Sequence, residues 1–276
     1  MDILHCAAPQ DIAHYNTAKL RAHFLLSDLF SSDRVRLVYC YEDRMLVGGC
    51  APGASPLRLG SGAEIGTPYL LTAREMGVAN IGGRGQVSVD GQTFELENRE
   101  VLYLGRGAQD IEFSSADPAH PARFYLNCVP AGVSHPHRLI RRSEAKPLNL
   151  GESRRSNVRN LAMYIHPEVA PSCLLMMGIT EVAPGSAWNT MPPHLHERRM
   201  EAYLYFDMAA EDRVIHLMGR PEETRHLVVA SNEVVISPSW SIHMGAGSGP
   251  YSFIWGMTGE NQQYTDVAPL GMADLL

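Results

Sequence analysis

Positive charge is scarce in this chain, aromatic side chains are few and no two cysteines stand at metal or redox spacing. Lysines and arginines number 23 against 30 acidic residues, giving a net charge of −7 and a pI near 5.9. That balance excludes the basic stripe of a nucleic-acid surface. Nowhere is there the run of about 18 apolar residues that a membrane-spanning helix needs. The start, MDILHCAAPQDIAHY, lacks the basic and apolar blocks of a secretory leader. A cytoplasmic location without a membrane partner is therefore expected. Cys6, Cys40, Cys50, Cys128 and Cys173 are odd in number, scattered and without a Cys-x-x-Cys pair, which predicts reduced thiols and no disulfide framework.

What is present is a foldable, substantial chain. Hydrophobic residues make up 45% and charged residues 19%, the balance of a globular protein and not of a disordered one. At 276 residues it can form one large domain or two of moderate size.

The chemistry is concentrated in MPPHLHERRMEAYLYFDM, which supplies His194, His196 and Glu201, and in SPSWSIHMG, which supplies His243. Side chains alternate across a strand, so His194 and His196 face the same way on a strand and nearly opposite ways on a helix. Glu201 has the opposite parity. A hairpin or bulge through Glu197 to Met200 must then re-aim the chain before a second strand, Glu201 to Phe206. A lone histidine is more often a packing or surface residue, but four such residues at this spacing read as a metal site. Three imidazoles and a carboxylate suit zinc and also serve iron, manganese, nickel or cobalt.

Elsewhere the signals are mostly those of strands. One helix is predicted early, where Asn16 or Thr17 can cap TAKLRAHFLLSDLF with Leu20, Phe24 and Leu25 at helical spacing. From Arg36 onward short β-branched and aromatic runs alternate with turn residues. Asp90-Gly91 is the strongest hairpin turn and Ser231-Asn232 a second. Such close strands predict sandwiches or barrels. A polar, basic segment between about 134 and 157 reads as a linker. It contains a second His-x-His, His135 and His137 followed by Glu144, whose basic, proline-broken context favours a solvated loop. His166 and His226 read as lone packing or hydrogen-bonding histidines. Two β-rich halves follow: residues 1–140, a metal-free barrel with the N-terminal helix, and residues 141–276, the metal-binding barrel. Between residues 64 and 130 only His120 could offer an imidazole.

The His-x-His-x4-Glu segment with a later Pro-x-x-x-x-His resembles the two motifs of the cupin superfamily, whose small jelly-roll barrels hold a metal with three His and one Glu. MPPHLHERRMEAYLYFDM, ETRHLVV, VVISPSWSIH and FIWGMTGENQ resemble, within it, the family of 5-keto-4-deoxyuronate isomerases (4-deoxy-L-threo-5-hexosulose-uronate ketol-isomerases), as do REMGVANIGGRGQVSVDGQ and FYLNCVPA in the first half. The likeness spans nearly the whole chain and is weakest in SHPHRLIRRSEA. It implies an all-β fold of two jelly-roll barrels with a few short helices, one zinc per chain, a homo-hexamer, and an aldose–ketose isomerisation of a uronate released in pectin breakdown.

Such a reaction needs a Lewis acid to steady an enediolate and a base to shuttle a carbon-bound proton. Thr190 shares the parity of His194 and His196; Arg199, Tyr203 and Tyr205 share that of Glu201. Arg199 is expected to hold the substrate carboxylate and Tyr203 to donate to an oxygen or relay a proton, which makes both catalytic candidates. Arg159 and Thr180 are further substrate-binding candidates, and Glu222-Glu223-Thr224-Arg225 could contain the base. Competing readings are an iron-dependent cupin dioxygenase, distinguished by iron and oxygen uptake, and a non-catalytic sugar-acid-binding cupin. A phosphosugar isomerase would require a phosphate-binding set that is not visible.

Overall fold

The computed structural model describes residues 1–276 and is all-β apart from one α-helix, Thr17–Phe24, and six short 3-10 turns. Asn16 caps the helix, its side-chain oxygen accepting from Lys19 N at 2.9 Å. The helix is shorter than its sequence pattern suggested. Leu25 and Leu26 leave it to pair antiparallel with Val235 and Val234, so backbone pairing takes over where side-chain periodicity still looks helical.

Two compact units make up the chain. The first contains residues 1–4, 28–146 and 164–177, the second residues 5–27, 147–163 and 178–276. The chain passes to the second unit after residue 146 and returns to the first for residues 164–177, so the units are not two consecutive halves; the N-terminal helix belongs to the second unit, because it leads into the strand that pairs with Val234–Ser237. The segment expected to be a linker carries two strands, Arg138–Ile140 and Lys146–Leu150, which extend the edges of two different sheets.

The first unit is built on a seven-stranded sheet and a four-stranded sheet. In Gly85–Val89 the residues alternate between buried and half-buried, the pattern of a strand with one face on a core. Val87, Val89 and Phe113 from the smaller sheet pack in one cluster with Met76, Val78, Leu102 and Phe124 from the larger. Asp90-Gly91 forms the expected hairpin: both residues have positive φ, 49° and 86°, and Val89 pairs with Gln92 across the turn. Glu75 is fully buried there, its carboxylate accepting from the backbone of Cys173, Leu174 and Leu175, each at 2.8 Å, and from Tyr103 Oη at 2.7 Å.

In the second unit a seven-stranded sheet runs in the order Lys146–Leu150, Arg159–Ile165, Met176–Val182, Ser252–Gly259, Arg199–Phe206, Val234–Ser237 and Leu25–Leu26. Glu223–Val229, Val214–Arg220 and Met244–Gly247 form a three-stranded sheet. Ser231-Asn232 does turn, with Asn232 at φ 68°, yet the strands on either side belong to different sheets, so it is a crossing and not a hairpin. Val214, His216 and Met218 point inward from Val214–Arg220. This two-sheet, jelly-roll arrangement positions the site.

Candidate metal centre and cavity

His194, His196, Glu201 and His243 meet, with one donor atom from each lying within 4.8 Å of all the others. Their elements differ from the expected pair of neighbouring strands. His194–Leu195 is a two-residue strand paired with Ala268–Pro269, whereas Arg199–Phe206 lies between Ser252–Gly259 and Val234–Ser237. His243 stands just before Met244–Gly247 on the smaller sheet. A turn closed by Arg199 N to His196 O at 3.3 Å makes the parity change between the histidine pair and Glu201.

The donor geometry is that of a cation site. His194 Nε2 lies 3.1 Å from both His196 Nε2 and His243 Nε2, while Glu201 Oε2 lies 3.1 Å from His196 Nε2 and 3.2 Å from His243 Nε2. Donors about 2.0–2.2 Å from one ion stand roughly 3 Å apart, so the spacing fits a single transition-metal ion. One proton can serve only one of the two contacts at His194 Nε2, and a shared cation satisfies all four groups together. Burial, followed by the neighbouring His196, pushes the His194 imidazole down to about 3. Burial, followed by His194 and His196, holds His243 well below the usual range. Neutral rings with free lone pairs are what metal ligation requires.

With each Nε2 turned to the common point, the ring hydrogen sits on Nδ1. His243 Nδ1 then donates to Ser237 Oγ at 3.3 Å and His196 Nδ1 to the Asp266 carbonyl at 3.4 Å. Arg199 Nη2 donates to that same carbonyl at 2.8 Å and stands 3.2 Å from His196 Nδ1. Such outer hydrogen bonds orient ligands. Arg199 is 1% exposed and is not among the residues lining the adjoining cavity. The expectation that it meets a substrate carboxylate therefore does not match its place: the turn at its strand's start directs the guanidinium behind His196 and not into the open space beside Glu201.

That cavity, of about 280 Å³, is lined by His194, His196 and Glu201 together with Arg159, Thr180, Thr190 and Tyr203. Arg159 fills the place expected of Arg199. It is half-buried, its one protein hydrogen bond runs from Nη1 to Asn157 O at 2.8 Å, and no carboxylate pairs with it. Burial lowers its pKa, the mark of a cation short of compensating charge. Tyr203 is buried, and burial raises its phenol well above the usual range. Tyr205, on the same face, points deeper: its Oη meets His216 Nδ1 at 2.7 Å and accepts from Asn189 Nδ2 at 3.3 Å.

The remaining candidates lie elsewhere. Glu222 and Glu223 are exposed and paired with Arg220 and Arg225, so that cluster is a surface turn, away from the cavity. His135 and His137 line a separate pocket of about 270 Å³, His137 Nδ1 accepting from Gly105 N at 3.1 Å, and Glu144 pairs with Arg138. His166 Nδ1 accepts from Glu168 N, His226 is exposed, and exposed His120 pairs with Asp117. Sequence reasoning missed Trp255, Met257 and Tyr264, which also line the cavity. The alternation Phe253, Trp255, Met257 was a usable signal. Tyr264 lies in an irregular segment without one.

Comparison with known proteins agrees with this architecture. A model of the KduI/IolB family matches residues 25–269. A protein of Lachnoclostridium phytofermentans named 4-deoxy-L-threo-5-hexosulose-uronate ketol-isomerase is 47% identical over 275 residues, covering 100% of each chain. Its namesake in Yersinia pseudotuberculosis is 49% identical over 262 residues, 94% of each chain. Among solved structures, an IolB-like protein from Salmonella typhimurium matches 90% of this chain and 96% of its own with a TM-score of 0.72. At 13% identity that likeness concerns the fold.

Proposed function

Because the chain belongs to the KduI/IolB family, we propose that it is a ketol-isomerase acting on 5-dehydro-4-deoxy-D-glucuronate and forming 3-deoxy-D-glycero-2,5-hexodiulosonate. The observation that carries this reading is one cavity lined by three residues of the His3Glu cluster, His194, His196 and Glu201, and by a carboxylate-free arginine, Arg159. The reacting aldehyde and hydroxyl are at one end of this substrate and its carboxylate is at the other. A cavity with a cation-binding cluster and a separate guanidinium suits both ends.

His194, His196, Glu201 and His243 would hold one zinc per chain, and the bound ion would supply a Lewis acid that polarises oxygens without redox change. In the isomerisation a proton leaves C2 and one arrives at C1, while the carbonyl passes from C1 to C2. Arg159 takes the carboxylate through a charge-assisted contact and so fixes which end of the chain reaches the cluster. Tyr203 stays a neutral phenol over the working pH range, so its Oη donates to the reacting oxygens and not as a base. Thr190 lines the same cavity as that hydroxyl, and Arg199 positions His196 through the Asp266 carbonyl.

The first barrel is assigned no metal in this scheme. A cytoplasmic homo-hexamer is part of the same reading, resting on family resemblance alone, and light scattering on the purified protein would test the assembly. The deciding experiment is metal analysis alongside an isomerase assay on the lyase-derived uronate. About one zinc per chain with turnover abolished by chelation is expected. Iron with oxygen uptake would support the dioxygenase reading instead, and metal-replete protein that binds the uronate without converting it would support the binding-protein reading.

A further inference from the structure

Two side chains of the cavity wall are buried with polar atoms that have no protein partner. Thr180 is 0% and Trp255 2% exposed, and neither Thr180 Oγ1 nor Trp255 Nε1 meets a hydrogen-bonding group of the protein. Both residues line the cavity. Buried polar groups are ordinarily satisfied, so two unpartnered ones on residues of one cavity wall call for an explanation.

The fold makes room for this arrangement. A Cβ on Gly178 would stand 2.1 Å from Trp255 Cζ2 and 2.7 Å from the backbone of Ala162, so only glycine leaves space for the indole. Gly178 is two residues before Thr180 on the same strand, and Trp255 pairs with Tyr203 across the next two strands. Tyr264 packs on the indole with ring centroids 5.6 Å apart. The indole is thus fixed in place while its N–H has no protein partner.

Their order in the sheet gives these groups a position. Glu201 and Tyr203, then Trp255, then Thr180, then Arg159 occupy four successive strands of the large sheet, each step about 4.8 Å. Along the sheet, the strands of Trp255 and Thr180 therefore lie between the strand of Glu201 and that of Arg159. We infer that Trp255 Nε1 and Thr180 Oγ1 form a specificity subsite that reads the oxygens in the middle of an open-chain sugar acid. This rests on the function proposed above. For that substrate, Trp255, one strand from Glu201, donates to the C3 hydroxyl oxygen, and Thr180, one strand from Arg159, donates to the C5 ketone. The indole N–H is a donor only and the threonine hydroxyl serves either role, so both oxygens are taken as acceptors. A site built on such donors discriminates strongly against a ligand that leaves them unpaired.

The test compares wild type with Trp255→Phe, Thr180→Val and Thr180→Ser, each checked for metal content and melting temperature. Wild-type turnover of the deoxy-keto-uronate is the control: if it is absent, the proposed function fails before the subsite is in question. With turnover present, Trp255→Phe and Thr180→Val should each lower kcat/KM by ten- to a hundredfold, whereas Thr180→Ser should remain within about threefold. Metal content should be unchanged. Melting temperatures should be equal to or above wild type, because each of the first two changes removes an unpartnered buried polar group. Unaltered kcat/KM in both Trp255→Phe and Thr180→Val overturns the subsite. So does a lowered melting temperature that accounts for the loss of activity, since it would mean that the two groups serve the fold.

Discussion

Replacing Arg159 with lysine tests the way the cavity binds a carboxylate. The guanidinium is half-buried, keeps one backbone hydrogen bond to Asn157 O and has no acidic partner, so an incoming carboxylate supplies the charge compensation that burial withholds. Lysine keeps the positive charge and loses the planar fork. A charge-assisted bidentate contact lies toward the upper end of about 1.5–3 kcal/mol, and the lysine ammonium recovers part of it, leaving a loss of about 1.5–2 kcal/mol. That corresponds to roughly a 10- to 30-fold fall in kcat/KM. The contact is made at the end of the substrate away from the bonds that change, so the loss should fall on KM, with kcat reduced by no more than about threefold. Steady-state kinetics on the deoxy-keto-uronate, with metal content measured in the same preparation, reads both quantities. KM within twofold of wild type would refute the assignment, and lost metal would show that Arg159 supports the cluster and not the substrate.

Arg199→Lys should behave in the opposite way, weakening metal retention by about tenfold under competing chelator while leaving KM at matched occupancy unchanged, because Arg199 acts on His196 through the Asp266 carbonyl. In His243→Ala the cluster loses one of its four donors, and metal content measured by elemental analysis after dialysis should fall to a minor fraction of wild type with activity following it. Glu75→Ala leaves three backbone N–H groups and the Tyr103 hydroxyl without their acceptor; a destabilisation of at least about 4 kcal/mol is expected from urea unfolding. His216 is fully buried and pushed down to about 3 by burial. Its unfolded form takes up a proton near pH 6.5, so stability is complete above that pH and falls as pH drops toward 3, by about 2 kcal/mol at pH 5. His216→Gln should flatten that part of the stability profile relative to wild type.

The cluster was legible in the sequence because its information is local. His194, His196 and Glu201 lie within eight residues, and strand alternation with one change of parity suffices to bring them together. His243, in the separate stretch SPSWSIHMG, completed the set by the type of its donor and not by local spacing. The fold class and the Asp90-Gly91 turn were legible for the same reason, since φ above zero at both turn residues is a property of two neighbouring positions. What escaped was partner choice. Nothing local in Leu25-Leu26 says that it pairs with Val234-Val235 more than 200 residues later, yet that pairing ends the helix early and places the N-terminal segment in the second unit.

The two arginines show where parity stops being informative. Arg199 and Glu201 share a strand and a face, and from that alone the guanidinium should enter the cavity beside the carboxylate. The backbone turns at Arg199, with its N–H closing on His196 O, and the first residue of a strand is where pleat geometry is least constrained. Its long side chain finds the Asp266 carbonyl from a segment about 70 positions away, a partner that no periodicity announces. Arg159 is also the first residue of its strand, but two strands lie between it and the strand of Glu201, and only the order of the sheet puts both on one cavity. Arg159 is the arginine left without an anion in the open space, and for that reason the proposed carboxylate contact is placed on it.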